Sequence, residues 1–392
     1  MDIRPFRGLR YDPAKVIMGN VVTQPYDKIT PEMQSGYYEK SPYNYVRVVL
    51  GRDKDRYSEA LQSLDRWIAD GAIIQDDKPA VYPYWQEFEY DGQIKTRKGF
   101  VAAFNLGDRV LKHERTLSKP KADRLNLFRK TRKNLEQIFL LYDSEYCPEP
   151  SGEPIVDVRD EYGVRHRLWR IDDPSAIEEL EREMADQVPL IADGHHRYEV
   201  SLEIQRELCE DLEKPCNYRM ATFVSARDPG LVVLPNHRLV YGCDLKSDEL
   251  LAEAEKCFEV KKGKGTLTRH EIGLFDGEED YTLRLKDETI MDDRLEGKSD
   301  AYKMLDVVIL HELLIRDVLG IQNVEEHVSY IRDEGKGRWK IGREYQYLFT
   351  LCPTLIEEVR EIGSLGEAMP QKSTDFYPKM ISGLVAFDLE RW

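Results

Sequence analysis

A run of polar residues at 193–197 has the composition of an anion-binding turn. The run consists of Asp193, Gly194, His195, His196 and Arg197. It joins a short apolar stretch to an amphipathic one, which predicts a strand, a tight turn and a helix. Gly194 allows the turn, and the first N–H groups of the helix point at whatever occupies it. The imidazoles and the guanidinium add donors that suit phosphate oxygens, and Asp193 is a candidate metal ligand beside them.

Two other interpretations of this turn stay open. The adjacent His195 and His196 are typical metal ligands, but neighbouring imidazoles point to different sides and need further ligands from elsewhere. The turn is also compatible with a purely structural role, in which the histidines cap the helix. Phosphate binding is preferred, because the glycine, the helix start and the arginine all favour an anion.

Asp27 is a candidate catalytic base in a second polar block, TQPYDKI (23–29). Pro25 fixes a turn, and Asp27 follows it at a predicted strand-to-helix junction, where side chains are often presented to a site. A carboxylate there can accept a proton or bind a metal ion. The alternative is a simple turn residue that leads into a helix capped by Thr30.

A third block follows a long predicted hairpin strand. It begins at His113 and Glu114 and continues to Lys121 and Arg124. Its mixed charge suits a ligand-facing loop, with the cations in a phosphate cradle and Glu114 as a base or magnesium ligand. The alternative is a solvated helix entry, because Asp123 lies near the predicted N-terminus of a helix.

Two later blocks complete the candidate set. His237 and Arg238 interrupt an apolar strand, and their donors need a protein carboxylate or a ligand anion, because burying them unpaired costs about 1–3 kcal/mol each. In the last block, lysine and hydroxyl side chains are able to contact a phosphate, although the spacing from Gly366 excludes a Walker A loop. The phosphate-binding residues predicted in that block are Lys372, Ser373, Thr374 and Lys379.

The elements that must position these residues are mixed. Helical and hairpin patterns alternate without a steady βαβ rhythm, which predicts an α+β or mixed α/β fold. Asp91-Gly92 predicts a type I′ hairpin turn, and residues 121–137 have the pattern of a helix. Ser175 is the predicted N-cap of a further helix.

The length of 392 residues is that of two or three domains. The segment 147–154 is short, polar and rich in helix breakers, so it is the best candidate boundary. We therefore expect one α+β domain at 1–150 and a second at 151–392, with the 193–197 turn in the second.

The composition excludes several classes of protein. With 57 basic and 73 acidic side chains the net charge is −16, which argues against a nucleic-acid or anionic-lipid partner but allows a local basic pocket. No apolar run approaches the roughly 20 residues of a membrane span, and no signal peptide is evident. The six cysteines lack regular spacing and predict reduced thiols, with Cys209 and Cys216 closest in sequence. These features predict a cytoplasmic protein with small-molecule partners, and they are compatible with a homo-oligomer.

The DGHHR turn resembles the signature of the ParB/sulfiredoxin-like superfamily, whose strand–glycine–turn–helix element carries a GxHR motif that grips nucleotide phosphates. It is most similar to the members that act as free-serine kinases. The resemblance implies a ParB/sulfiredoxin-like element embedded in a larger mixed-sheet protein, with ATP or ADP and Mg²⁺ as cofactors. It also implies an acidic base, and the candidate catalytic residues are Asp27, Glu114 and His196.

The whole chain resembles a large microbial family known as domain of unknown function 1015. Five blocks in the same order carry this resemblance: VVTQPYDKIT (21–30), HERTLSKPKADRL (113–125), IADGHHRYE (191–199), LPNHRLV (234–240) and MPQKSTDFYPK (369–379). Their number and order make the match specific, and it implies family membership without an activity.

Three functions follow from these patterns, in order of preference. The first is nucleotide-dependent phosphotransfer to a small hydroxyl-bearing metabolite, such as free L-serine. The second is a nucleotide-binding ParB-like regulator without small-molecule turnover. The third is a metal-dependent hydrolase built on His113, His195, His196 and His237.

Overall fold

The computed structural model describes residues 1–114, 118–209, 211, 214–292 and 294–392. Residues 115–117 of the 113–125 block therefore lie outside the described residues. The described strands are β1 Ile3–Arg4, β2 Leu9–Tyr11, β3 Ile73–Gln75, β4 Tyr82–Tyr90, β5 Gln93–Asn105, β6 Lys133–Asn134, β7 Ile138–Tyr142, β8 Val156–Arg159, β9 Arg165–Leu168, β10 Leu190–Asp193, β11 Tyr218–Ser225, β12 Val232–Val233, β13 His237–Val240, β14 Phe258–Lys262, β15 Glu271–Phe275, β16 Asp280–Leu285, β17 Val328–Ile331, β18 Tyr347–Thr350, β19 Phe376–Tyr377 and β20 Phe387–Asp388.

Helices alternate with these strands, as expected for a mixed fold. The α-helices are α1 Met18–Val21, α2 Pro31–Lys40, α3 Val46–Val49, α4 Arg56–Ala69, α5 Ser118–Thr131, α6 Pro174–Met184, α7 His195–Leu208, α8 Ser247–Ala254, α9 Asp300–Lys303, α10 Asp306–Ile309, α11 Val324–His327, α12 Glu334–Lys340 and α13 Ile356–Ser364. Helix α10 continues as a π-helix over Leu310–Val318, and short 3₁₀ turns lie at Tyr26–Lys28, Pro215–Asn217 and Glu288–Met291. Among the described residues, no helix combines the length and the apolar character needed to cross a membrane. The α+β expectation is confirmed.

The chain divides into two units, and the division differs from the predicted one. Unit 1 consists of Met1–Leu111, Thr116–Leu231 and Pro378–Trp392, and unit 2 of Lys112–Arg115 and Val232–Tyr377. The segment 147–154 falls inside unit 1, because strands from both sides of it belong to one sheet. Helix breakers there mark a loop between strands of that sheet.

An eight-stranded mixed sheet lies at the centre of unit 1, as far as the described residues show. Its order is β10-β7-β11-β5-β4-β9-β8, and β1 pairs with β5. Strands β7 and β11 run parallel, with Ala221 opposite Ile138, and the other neighbours are antiparallel. Strand β7 is buried at every residue, which explains its uninterrupted apolar sequence. Phe100 and Phe223 stack in the core with ring centroids 5.1 Å apart.

Unit 2 contains a six-stranded antiparallel sheet within its described residues. The strand order is β14-β16-β15-β18-β13-β17. Leu239 and Leu348 face each other in register on β13 and β18 and form a small core with Ile341. The sheet therefore places β13, which begins at His237, between two partner strands.

The DG hairpin confirms the most local prediction. Strands β4 and β5 pair in register on both sides of the turn, with Tyr90 opposite Gln93. Asp91 and Gly92 adopt φ angles of 52° and 68°, as a type I′ turn requires. A short sequence signal was sufficient here because the turn geometry depends on two adjacent residues.

Helix limits show two differences from the sequence predictions. Helix α5 ends at Thr131 rather than at 137, because Arg132 adopts a positive φ of 54° and residues 133–134 form β6. Helix α6 is capped by Asp173 rather than by Ser175, since the Asp173 carboxylate accepts a hydrogen bond of 2.9 Å from the Ala176 N–H.

The prediction of uniformly reduced cysteines is wrong for one pair. Cys209 and Cys216 form a disulfide, with their Cα atoms 6.0 Å apart. Chain geometry brings the pair together, because Cys209 directly follows α7 and Cys216 lies in the 3₁₀ turn that precedes β11. The described cysteines outside this pair are free thiols, at positions 147, 243, 257 and 352.

Candidate functional site

The predicted strand, glycine turn and helix are present in unit 1. Strand β10 ends at Asp193, and α7 begins at His195 and runs for 14 residues. Gly194 joins them with a φ of 100°, a conformation that residues with a Cβ rarely adopt. The turn therefore presents the N-terminus of a long helix, with His195 buried and His196 half-buried in its first turn.

Asp193 is the centre of charge in this turn. Its carboxylate accepts a 2.8 Å hydrogen bond from Arg197 Nη2 and lies 3.6 Å from Lys379 Nζ. Burial alone would raise the pKa of Asp193, but the cations Lys379, Arg197 and Lys28 and the imidazole of His195 hold the pKa well below its ordinary value. Asp193 is therefore an ionised carboxylate surrounded by positive charge.

This environment does not fit the predicted role of Asp193 as a metal ligand. Arg197 and Lys379 already occupy its oxygens, and a divalent cation would be repelled by the same charges. Within the part of the chain that the structure describes, no three histidine, cysteine, aspartate or glutamate side chains converge on a possible metal position. The hydrolase hypothesis, which needs such a cluster, gains no support.

Arg197 is more deeply embedded than the sequence predicts. Its side chain is 9% exposed, and it donates to the Gln137 carbonyl as well as to Asp193. Burial opposes its charge, yet Asp193, Glu136 and Asp27 raise its pKa above the ordinary value. Arg197 thus fixes the turn from inside, in addition to any contact with a ligand.

Asp27 belongs to the same site. It lies on the 3₁₀ turn Tyr26–Lys28 with an exposed side chain, and its charge acts on Arg197 while that of Lys28 acts on Asp193. A hydrogen bond of 3.1 Å from the Tyr26 N–H to Glu136 Oε1 fixes this 3₁₀ turn. The structure therefore brings Asp27 to the DGHHR turn, and its role as a base stays a prediction.

Lys379 reaches the turn on a segment that unit 1 anchors at several points. Gln86 Nε2 donates to the Lys379 carbonyl at 2.9 Å, and Gln137 Nε2 donates to the Ile381 carbonyl at 3.2 Å. Ser382 Oγ donates to Glu136 Oε1 at 2.8 Å. These bonds fix the backbone that carries the Lys379 side chain, which is 11% exposed.

Glu136 is the residue of this site that sequence reasoning missed. It is buried and connects three segments, since its carboxylate accepts from Tyr26 and Ser382 and lies 3.6 Å from Arg124 Nη1. Its position just before the apolar strand β7 is the same signal that identified Asp193 at the end of β10. A search for polar residues next to buried strands would therefore have identified Glu136.

Two predicted phosphate ligands on α5 have protein partners instead. Arg124 bonds Asp123 Oδ2 through Nε at 2.9 Å and lies over the Tyr26 ring, 3.9 Å from its centroid. Lys121 forms ion pairs with Glu199 at 3.8 Å and Glu203 at 3.3 Å. These contacts join α5 to α7 and leave Arg124 as the nearer of the two to the site.

The remaining predicted residues belong to unit 2. They are His113, Glu114, His237, Arg238, Lys372, Ser373 and Thr374. His113 Nε2 lies 3.1 Å from Thr374 Oγ1, and the Met369 N–H donates to the His113 carbonyl at 2.8 Å. Glu114 forms a parallel bridge with Met369. The sequence blocks at 113 and 369–374 therefore meet in this unit.

Arg238 corrects the expectation that its donors need a carboxylate or a ligand anion. Its buried guanidinium donates to the carbonyl of Asn236, and to those of Gln371 and Lys372 at 3.5 and 3.3 Å. It also lies over the Tyr330 ring. Backbone carbonyls satisfy this arginine, which gives it a structural function in holding residues 371–372.

His237 makes the stability of unit 2 sensitive to acid. The Leu351 N–H donates to its Nδ1 at 3.2 Å, so that nitrogen must be unprotonated. Burial, with help from Arg238 and Lys264, lowers the pKa of His237 to about 4. The unfolded chain, with a histidine pKa of about 6.5, therefore binds more protons between these values, and stability is lost as the pH falls through this window.

We expect a His237→Asn variant, whose amide oxygen can accept the same bond, to lose less stability on acidification. Between pH 7.5 and 4.5 the native protein should lose roughly 2.5 kcal/mol more than the variant. Urea unfolding of both proteins across this range measures the difference, because all other titrating groups are shared. Parallel pH profiles would contradict the assignment.

The sequence profile described as protein of unknown function (DUF1015) matches residues 3–308. A free serine kinase mutant solved in complex with AMP is 15% identical, with a TM-score of 0.39 over 74% of this chain and 91% of that chain. A conserved hypothetical protein from Pyrococcus furiosus is 14% identical, with a TM-score of 0.36 over 72% and 94%. SbnI with a C-terminal truncation, from Staphylococcus aureus, is 12% identical, with a TM-score of 0.38 over 74% and 86%.

A search of the curated proteins finds no match to the sequence. The profile match, by contrast, covers most of the chain. It includes the blocks at 21–30, 113–125, 191–199 and 234–240, in agreement with the resemblance seen in the sequence. The chain therefore belongs to the DUF1015 family.

Proposed function

We propose that unit 1 binds the phosphates of ATP or ADP at the Asp193–Arg197 turn and transfers one phosphoryl group to a small hydroxyl-bearing metabolite. The observation that supports this most strongly is the gathering of Lys28, Lys379 and Arg197 around a glycine turn at the start of a 14-residue helix. The positive end of the helix dipole makes such a helix start favourable for phosphate. Free L-serine is the first acceptor to test.

Asp27 supplies the base in this proposal. It is preferred to Glu114, because Asp27 belongs to the same unit as the turn and its charge acts on Arg197. The hydroxyl oxygen of the acceptor attacks the terminal phosphorus, and its proton passes to the Asp27 carboxylate. The bond from that phosphorus to the leaving nucleotide oxygen breaks, and the nucleotide departs with one phosphate fewer.

Magnesium enters the proposal as a companion of the nucleotide. Mg²⁺ commonly takes one or two carboxylates and completes its coordination with phosphate oxygens and water, so it does not require a closed protein cluster. When bound it would neutralise charge on the phosphates. The cations around Asp193 argue against that residue as the magnesium ligand, and in this proposal they act on the phosphates directly.

Purified protein with Mg²⁺, ATP or ADP and a panel of amino acids and polyols provides the test. Phosphorus NMR should show a phosphate ester of one acceptor and a nucleotide shortened by one phosphate. A Lys379→Met variant should transfer more slowly, while the matched Lys95→Met variant, altered on the distant hairpin strand β5, should keep full activity. Absence of transfer from both nucleotides to every acceptor would reject the proposal, and nucleotide binding without transfer would favour the ParB-like regulator.

A further inference from the structure

A small cavity in unit 1 is lined by four basic side chains. They are Arg124, Lys133, Arg197 and Arg219, accompanied by Glu136 and by apolar residues of α5 and α7. The centre of a water-sized molecule can occupy about 30 Å³ of this cavity. That space holds a few atoms and is too small for a nucleoside. Among the described residues, Arg197 is the only member of the 193–197 turn that lines this cavity.

Three of the four cations have carboxylate partners of their own. Arg124 pairs with Asp123, Arg197 with Asp193, and Lys133 lies 3.3 Å from Asp388. The remaining carboxylate, Glu136, already accepts two hydrogen bonds and lies beside Arg124. Four carboxylates therefore accompany the four cations, and Arg219 is the cation that forms no ion pair with any of them among the described residues.

Arg219 is a buried cation without a carboxylate partner among the described residues. It is 4% exposed, and one guanidinium nitrogen donates to the Glu136 carbonyl at 2.6 Å. Its Nε is buried and has no hydrogen-bond acceptor in the described part of the chain. Burial and then the charge of Arg197 lower the pKa of Arg219 to about 9, although the charge of Glu136 raises it.

A second buried donor at the cavity, on Arg124, also lacks a hydrogen-bond acceptor among the described residues. Arg124 Nη1 is buried and lacks a hydrogen-bond acceptor within the described residues, since Glu136 Oε2 is 3.6 Å away. A water molecule would satisfy these N–H groups but would leave Arg219 without an ion-pair partner. An anion would satisfy both requirements.

We propose that this cavity binds a small inorganic oxyanion of the phosphate class, held by Arg219 and Arg124 and bordered by Arg197. The site is separate from the nucleotide phosphates proposed at the glycine turn and does not depend on phosphotransfer. Because Arg197 borders the cavity and bonds Asp193, anion binding also stiffens the guanidinium that holds the turn.

Thermal unfolding of the full-length protein in an oxyanion-free buffer, with phosphate added at constant ionic strength, tests this site. We expect the Tm to rise by at least about 3 °C at about 50 mM phosphate, since a ligand that binds only the native state stabilises it. Sulfate in place of phosphate separates a general oxyanion site from a phosphate-specific one, and both results support the proposal. Equal stabilisation by chloride would overturn it.

An Arg219→Met variant provides the decisive control. Without oxyanion it should be at least as stable as the native protein, because a buried charge without an ion-pair partner has been removed, and its Tm should respond much less to phosphate than that of the native protein. An Arg219→Lys variant has fewer donors, so calorimetry should show several-fold weaker phosphate binding than in the native protein. This variant tests the proposal if Arg219→Met does not fold.

Two further variants separate this site from the turn and from a merely structural arginine. Lys379→Met, altered at the turn, should keep the part of the phosphate response that Arg219→Met loses. Arg97→Met removes a buried arginine that is bonded to Gln86, and it should lower the Tm equally with and without phosphate. A phosphate response of native size in Arg219→Met, or a loss of stability in Arg219→Met that phosphate does not alter, would overturn the proposal.

Discussion

An Asp27→Asn variant should lose about 10²- to 10⁴-fold in the rate of phosphoryl transfer, which is the usual contribution of a general base. The amide keeps the size of the side chain but cannot accept the proton of the acceptor hydroxyl. Because Asp27 is exposed on a short turn, the change should leave the fold intact. The turnover number and the nucleotide affinity, measured separately, should show a loss confined to turnover.

A matched control for this experiment lies on α4. Asp65 is also exposed, and Asp65→Asn makes the same chemical change at a distant helix of unit 1. It should retain native activity. If Asp27→Asn kept more than about a third of the native rate, well outside the range expected for a lost base, the assignment would be wrong.

The second large effect concerns Arg197. Arg197→Ala should weaken nucleotide binding by about 10- to 100-fold, because charge-assisted hydrogen bonds contribute roughly 1.5–3 kcal/mol. The structure adds a loss of stability, since the Gln137 carbonyl loses a donor and Asp193 loses a cation in a buried place. Calorimetric titration with ADP, together with thermal unfolding, measures both effects.

Arg197→Lys distinguishes the two contributions. Lysine keeps the charge but not the planar fork, so affinity should fall while much of the stability returns. The control is Arg129→Ala on the surface of α5, where the arginine is paired with Glu207 and is 42% exposed. Native affinity in both Arg197 variants would contradict a phosphate site at this turn.

The parts of the fold that could be predicted from the sequence are those decided by neighbouring residues. The Asp91-Gly92 turn and the strand–Gly194–helix element depend on local backbone conformation, and both are present. The division into units could not be predicted, because it depends on sheet pairing between residues far apart in the chain, such as Gln93–Asn105 with Tyr218–Ser225. Helix breakers at 147–154 are compatible with a domain boundary and with a loop, and local composition does not distinguish them.

The candidate site shows the same contrast. Asp27, Asp193 and Lys379 were identified by type and position, and unit 1 brings them together around one turn. Glu136 and Arg219 were missed because their importance lies in distant partners: Glu136 in Ser382, and Arg219 in a cavity lined from several elements. Arg238 was predicted to need an anion, since sequence cannot reveal that backbone carbonyls surround it.

The interrupted course of unit 1 has a consequence for the order in which the protein is made. Residues up to Leu231 leave the ribosome before Val232–Tyr377, and Pro378–Trp392 follows both. Strand β6 lacks its partner β20 until then, and Glu136 lacks Ser382. Lys379 is delivered to Asp193 in the same final step. The nascent chain is therefore expected to complete the surroundings of Asp193 only after the whole of Val232–Tyr377 has been synthesised.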